Sequence, residues 1–216
     1  MSYQIKIPSY TCGGEGCIEN VPAIIEKEHA KKIMVFTDKG IRSTGLLDGL
    51  TKILDETAAE YKIFDDLTPE PAYQDVERVM DEAAQYEGDF IIAIGGGSVM
   101  DAAKLCSVLK GASYTVKDLL KDPAIAEKQI KTLMIPTTCG TGSEATCNAI
   151  VAIPEEQSKK GIVNDNMIPD YVFLDSQMIR KLPKAIIAAT GVDALAHVVE
   201  CFTSKKATPF SDRSES

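Results

Sequence analysis

A chain of 216 residues with 44% hydrophobic and 25% charged side chains has an ordinary globular composition and enough length to bury a substantial core. Its formal net charge of −9 argues against nucleic acid as a partner, because phosphate binding draws on clustered Lys and Arg. No uninterrupted apolar run reaches the length of a bilayer crossing, so no membrane partner is expected. The start, MSYQIKIPSY, lacks the basic-then-apolar order of a secretory signal. The cysteines (Cys12, Cys17, Cys106, Cys139, Cys147 and Cys201) are scattered, several of them within apolar runs. That usage fits reduced thiols and a cytoplasmic protein. Cys12 and Cys17 could form a metal-binding pair, but no second Cys/His pair follows at a zinc-site spacing.

In chain order, residues 32–37 (KIMVFT) read as a buried strand. Residues 45–60 come next as a helix with Leu46, Leu47, Leu50, Ile53 and Leu54 on one face. A short strand is expected at 61–64, then a helix from Pro71 and Tyr73 to Tyr86 with Val76, Val79, Met80 and Ala83 inward. Residues 90–94 (FIIAI) form a strand that runs into Gly95, Gly96 and Gly97, with a helix over 100–109. Residues 132–135 form another strand, entering PTTCGTGSE. This alternation of strand and helix implies a parallel sheet covered by helices. From Ala145 the pattern changes. Residues 149–153 and 161–163 read as a hairpin joined by the polar PEEQSKK, and 171–174 (YVFL) as a further strand. Leu182-Pro183 breaks the chain, and the remainder reads as helical. The expected division is an α/β domain over 1–182 and the beginning of a helical domain over 183–216, too short to build its own core.

The segment IIAIGGGSVMDAAK (91–104) is a strand, a glycine turn and a helix. Glycines let backbone amides approach a ligand, and a helix N-terminus offers free N–H groups to phosphate. The helix is expected to begin near Ser98, with Asp101 completing a capping-box-like arrangement. The functional reading is a pyrophosphate cradle; the plain alternative is a tight turn without a ligand. The segment is neither GxGxxG nor a Walker loop. PTTCGTGSE (136–144) also comes directly after a strand and offers the hydroxyls of Thr137, Thr138, Thr141 and Ser143. Ligands bind at the C-terminal ends of parallel strands, so the two loops would line one cleft. Asp38, just past a strand, is placed either to accept from ribose hydroxyls, and so to repel a 2′-phosphate, or to cap a turn or helix.

In GVDALAHVVECF (191–202), Asp193 and His197 lie four residues apart and share a helix face. Carboxylate with imidazole suits Fe(II) or Zn(II); the alternative is a hydrogen-bonded pair on an amphipathic helix. Glu200 adds an H-x-x-E spacing. His29, in EKEHAKK, reads as a solvated helix end, and the chain has no histidine besides these two.

TDKG (37–40), GGGSVMDAAK (95–104), PTTCGTGSEAT (136–146) and GVDALAHVVE (191–200), in this order, resemble the iron-containing (group III) alcohol dehydrogenases of the dehydroquinate synthase-like superfamily. The resemblance runs from near the N-terminus to about Asp212 and covers the N-terminal portion of the family. It implies a Rossmann-like dinucleotide-binding domain followed by an all-helical domain, with the active site between them. It implies Gly96, Gly97 and Ser98 on the NAD pyrophosphate, and Thr137, Thr138 and Thr141 along the rest of the cofactor. A family lysine near the cofactor matches Lys159 or Lys160, with Lys159 preferred by counting back from Pro169. Asp38 matches a position where a carboxylate favours NAD over NADP. Asp193 and His197 match the first metal ligands, for Fe(II) or alternatively Zn(II); the family's further histidines have no match in this chain. The implied activity is NAD(H)-dependent interconversion of a small primary alcohol or diol and its aldehyde. In it the metal polarises the substrate oxygen, in an enzyme that is homo-oligomeric when intact. The competing expectation is an inactive, truncated remnant that at most binds the dinucleotide.

Overall fold

The computed structural model describes residues 4–68, 70–180, 182–205, 207 and 208. Six strands form one parallel sheet: β1 (Tyr10–Gly13), β2 (Lys32–Phe36), β3 (Glu60–Phe64), β4 (Phe90–Gly95), β5 (Lys131–Pro136) and β8 (Tyr171–Leu174), in the spatial order β1-β8-β5-β4-β2-β3. The intervening β6 (Asn148–Ile153) and β7 (Ser158–Val163) pair antiparallel as a separate hairpin. The chain starts at the β1 edge, crosses to β2, steps outward to β3, then returns to the other side of β2 to lay down β4, β5 and finally β8, which pairs with β1. The switch point of this Rossmann-like sheet therefore lies between β2 and β4, where open parallel sheets form a ligand crevice.

Strand alternation sorts the core into layers. Ile33, Val35, Ile92, Ile94, Leu133 and Ile135 face one way, onto α1 (Val21–Lys27) and α3 (Leu46–Asp55) through Ile24, Leu50 and Leu54. Met34, Phe36, Ile91, Ala93 and Met134 face the other way, onto α4 (Tyr73–Tyr86) and α5 (Gly97–Leu109) through Val79, Ala83, Met100 and Ala103. A third cluster joins the hairpin to α4, α5 and α6 (Val116–Lys121) through Ala149, Val151, Ile162, Val76, Leu105 and Leu119. All six cysteines are free thiols.

The structure corrects several expected boundaries. β1 lies outside the expected elements: four residues, YTCG, none of them buried, carry no apolar run to read. The helix expected over 45–60 stops at Asp55, because β3 already pairs from Glu60 with Lys32. A short helix, α2 (Lys39–Ser43), precedes it, capped by Asp38. β7 begins at Ser158, inside the expected polar loop. The turn closes at Gln157, with φ 46, and Ile162 is the strand's only buried side chain, so outward lysines are tolerated there. α5 begins at Gly97, three residues before the expected 100–109 helix.

After Pro183 the chain forms α7 (Lys184–Thr203), 20 residues of which none is buried. Val192, Leu195 and Phe202 are 65, 61 and 71% exposed. By length and composition α7 could cross a membrane, although Asp193, His197 and Glu200 interrupt its apolar run in the sequence. The same test passes core helices of soluble proteins. α7 touches the loop after β5 near Thr190, whose Oγ1 lies 3.9 Å from Cys139 Sγ.

Ile92, fully buried in the most enclosed strand, measures the core. Ile92→Ala is expected to lower unfolding free energy by about 2–5 kcal/mol in urea titration. His29→Asn, at an exposed turn whose left-handed backbone (φ 54) asparagine tolerates, should stay within about 0.5 kcal/mol.

Candidate active site

β4 delivers Gly95 to the C-terminal edge of the sheet, Gly96 caps the next helix in an extended conformation, and α5 starts at Gly97. Close packing demands glycine at 95 and leaves little room for a side chain at 97. A Cβ on Gly95 would lie 2.7 Å from Val99 Cγ2, and one on Gly97 3.1 Å from both Oγ1 and Cγ2 of Thr141. Gly96 differs: an added Cβ would approach only Thr138, at 3.7 Å, an ordinary contact. The amides of Val99 and Met100 both donate to Gly96 O. The Gly97 and Ser98 amides, at the head of a 13-residue helix, have no acceptor within it. Together with the helix dipole they make an anion-binding end.

Asp101 does not complete a capping box with Ser98, because it sits on the buried side of α5. Its carboxylate accepts from Ser143 Oγ at 2.5 Å and from the Ile150 amide at 3.0 Å. Lys104, one turn on and fully buried, places Nζ 3.0 Å from Asp101 Oδ1. That ammonium also donates to Ser143 O at 3.0 Å, to Thr146 Oγ1 at 3.3 Å and to Asn148 O. Burial pushes the Lys104 pKa down, and the Asp101 carboxylate opposes that shift in part. The pair thus ties α5 to the loop after β5 and to the hairpin.

In that loop the Thr137 amide donates to Gly95 O at 2.9 Å, prolonging the β4–β5 register. Thr138 lies against Gly96 and Thr141 against Gly97. Gly140 is set by α7, since a Cβ there would come within 2.6 Å of Thr190 O. A cleft of about 410 Å³ opens between these parts. Gly97, Ser98, Thr141, Lys159 and Asp193 line it. Gly96 and Thr138, both partly exposed, do not line it, and Thr137 is fully buried. Asp38 lies off the cleft wall, at the end of β2 beside the switch point; one of its oxygens accepts from the Ile41 amide at 2.8 Å and caps α2.

The two hairpin lysines separate by strand alternation. Lys159, opposite Ala152, lines the cleft and pairs with Glu70 at 2.6 Å; Lys160, opposite Val151, pairs with Glu156 at 2.7 Å. On α7, His197 Nε2 lies 3.9 Å from Asp193 Oδ1, with both side chains about half exposed (51 and 45%). Among the described residues no group of three or more His, Cys, Asp or Glu side chains could hold a metal ion. Asp193 and His197 therefore do not by themselves fit a complete metal centre, which takes about three protein ligands. His29, in the turn before β2, lies at the opposite end of the strands from the cleft.

A dinucleotide fits the residues better. At Gly96 an added Cβ would meet nothing closer than Thr138 at 3.7 Å, so the fold's own packing does not require the glycine. Among the described residues, the buried side-chain atoms without a partner are Asn148 Oδ1 in the cleft wall, the hydroxyls of Thr37 and Thr137 at the ends of β2 and β5, and the hydroxyl of Tyr86 at the end of α4, outside the cleft. Buried polar atoms normally find a partner. Sequence reasoning missed Glu70, Asn148 and the Asp101–Lys104 pair. The signal for the pair was the DAAK spacing, which puts both residues on one helix face.

The parallel sheet with flanking helices and a glycine turn at its switch point defines a Rossmann-like α/β fold. The family model of iron-containing alcohol dehydrogenases matches residues 8–176, and the chain belongs to that family. It is 32% identical over 212 residues to long-chain-alcohol dehydrogenase 1 of Geobacillus thermodenitrificans, covering 97% of this chain and 53% of the relative. It is 30% identical to the NAD-dependent methanol dehydrogenase of Bacillus methanolicus, covering 95% of this chain and 54% of that protein. Among solved structures, an iron-containing alcohol dehydrogenase of Thermotoga maritima superposes with a TM-score of 0.90 at 35% identity, over 99% of this chain and 59% of that one. The sulfoacetaldehyde reductase of Bifidobacterium kashiwanohense, in complex with NAD+, gives a TM-score of 0.90 at 27% identity, over 100% of this chain and 57% of that one. The chain spans about half the length of the curated relatives it matches.

Breaking the buried ion pair tests the tie. Lys104→Met leaves Asp101 unpaired and is expected to cost about 3–5 kcal/mol by chemical denaturation. Asp101→Asn combined with Lys104→Met should recover part of that loss, as a double-mutant cycle would read.

Proposed function

We propose that this chain forms the cofactor-binding portion of an NAD(H)-dependent oxidoreductase that interconverts a small primary alcohol or diol and its aldehyde. The observation that carries the reading is the convergence of Gly97, Ser98, Thr141 and Lys159 on one cleft at the switch point, with Asp193 of α7 in its wall. NAD(H) would supply the hydride chemistry. The amides of Gly97 and Ser98 would take its pyrophosphate, with Gly96 leaving room for the approach. Thr141 would line the remainder, with Thr138 beside Gly96 and the buried Thr137 supporting the site from the end of β5, and Lys159 would add a positive charge. The free oxygen of Asp38 would accept from ribose hydroxyls and repel a 2′-phosphate, favouring NAD over NADP.

The proposed division of the chain places the α/β domain at 1–182 and the start of a helical domain at 183–216. Asp193 and His197 would contribute a carboxylate and an imidazole toward the divalent ion for which the family is named, iron or zinc. The residues described supply only this pair, so turnover would need ligands beyond them, and the chain as it stands would bind dinucleotide without turning over. In this reading the intact enzyme is a cytoplasmic homo-oligomer without nucleic-acid or membrane partners. The competing reading, an inactive remnant, shares the binding step.

NADH fluorescence titration is the direct test. The reading expects saturable binding of NADH that is stronger than that of NADPH. Asp38→Gly should shift the preference toward NADPH; an unchanged ratio would remove Asp38 from the site.

A further inference from the structure

Glu70 stands apart from the residues assigned above. It precedes Pro71 and Ala72 in the connection from β3 to α4, and its backbone adopts the left-handed conformation, with φ 53, which side chains other than Gly and Asn rarely hold. Three contacts fix it there. Its own amide donates to Ser98 Oγ at 3.1 Å. Its carboxylate lies 2.6 Å from Lys159 Nζ. The next residue is clamped to the hairpin, because Ala152 N donates to Pro71 O at 3.0 Å beside an Ala72–Ala152 bridge. Glu70, Ser98 and Lys159 all line the same cleft. A carboxylate on strained backbone is thus held against the cleft's lysine while its amide engages the serine of the glycine turn.

Resting on the dinucleotide reading, we propose that Glu70 sets the cofactor affinity of this cleft by acting as a built-in anion. It occupies the Lys159 ammonium that a dinucleotide phosphate would otherwise meet, so binding has to displace it. The carboxylate is negative where the incoming phosphates are negative. Its removal frees Lys159 and lifts a like-charge repulsion at once. Both partners are more than half exposed, at 52 and 67%, so the effect is that of a solvated ion pair rather than a buried one. The consequence is a cleft that holds its cofactor less tightly than its other groups allow, which favours release.

The experiment is NADH fluorescence titration of the chain carrying Glu70→Gln, and separately Glu70→Asn, which removes the charge and tolerates the left-handed backbone. Thermal unfolding checks that both variants keep the fold. Each is expected to lower the NADH Kd by about 2–5-fold, the range an exposed ion pair supports. In a Lys159→Met background the gain from Glu70→Gln should shrink. Binding by the unsubstituted chain with an unchanged or raised Kd in both variants overturns the proposal. So does a gain of the same size without Lys159. Absence of NADH binding to the unsubstituted chain and to every variant overturns the cofactor reading and this inference with it.

Discussion

The ammonium of Lys104 sits in the interior with no exposed surface, held by one carboxylate and by carbonyls of the segment that comes after β5. A charge in that position is tolerated only when it is paired and its donors are filled, and here they are. The contacts reach 39 to 44 residues along the chain. They bind α5, the 136–144 loop and the first strand of the hairpin into one body. Asp101 reinforces this from the same helix by accepting from Ser143 and Ile150. Every wall of the cleft attached to those elements depends on the pair: the glycine turn at the head of α5, Thr141 in the loop, and Lys159 across the hairpin.

The remaining wall is α7, and its attachment is of a different kind. It meets the loop where Gly140 permits close approach to Thr190, and it presents Asp193 to the cleft. Its Ile186, Ile187, Val192, Leu195, Val199 and Phe202 are exposed, an apolar surface of the kind that marks a contact face. The α/β body carries the features that suit a dinucleotide, whereas the metal-binding chemistry rests on two side chains of one exposed helix. That asymmetry fits a chain spanning about half the length of its relatives.

Much of the architecture was legible in the sequence, for a physical reason. Strands buried on both faces, such as β4 with all six residues buried, must be continuous apolar runs, and they read as such. The glycine turn was legible because strand, glycines and helix are contiguous. What escaped the reading was set by partners distant in sequence. β1 carries almost no apolar signal and owes its place to pairing with β8, which closes from the far end of the chain. Asp101 looked like a capping residue because its true partners, Ser143 and Ile150, lie 42 and 49 residues away. Glu70 sits in a loop whose sequence, TPEPAY, carries no motif; only the fold brings it to Ser98, 28 residues on, and to Lys159. The choice between Lys159 and Lys160 was a matter of register, which the pairing with Ala152 and Val151 defines.

The cleft between the glycine turn, the 136–144 loop and the hairpin is the proposed seat of the dinucleotide. Amide chemical-shift mapping of the isotope-labelled chain during NADH titration addresses this residue by residue. The account predicts saturable shifts concentrated at Gly96, Gly97 and Ser98, at Thr137, Thr138 and Thr141, and at Lys159, with the face of α1 and α3 unchanged. Shifts centred elsewhere, such as the separate hollow between α4 and the end of α5 around Met80 and Tyr114, or no saturable shifts at all, would contradict it.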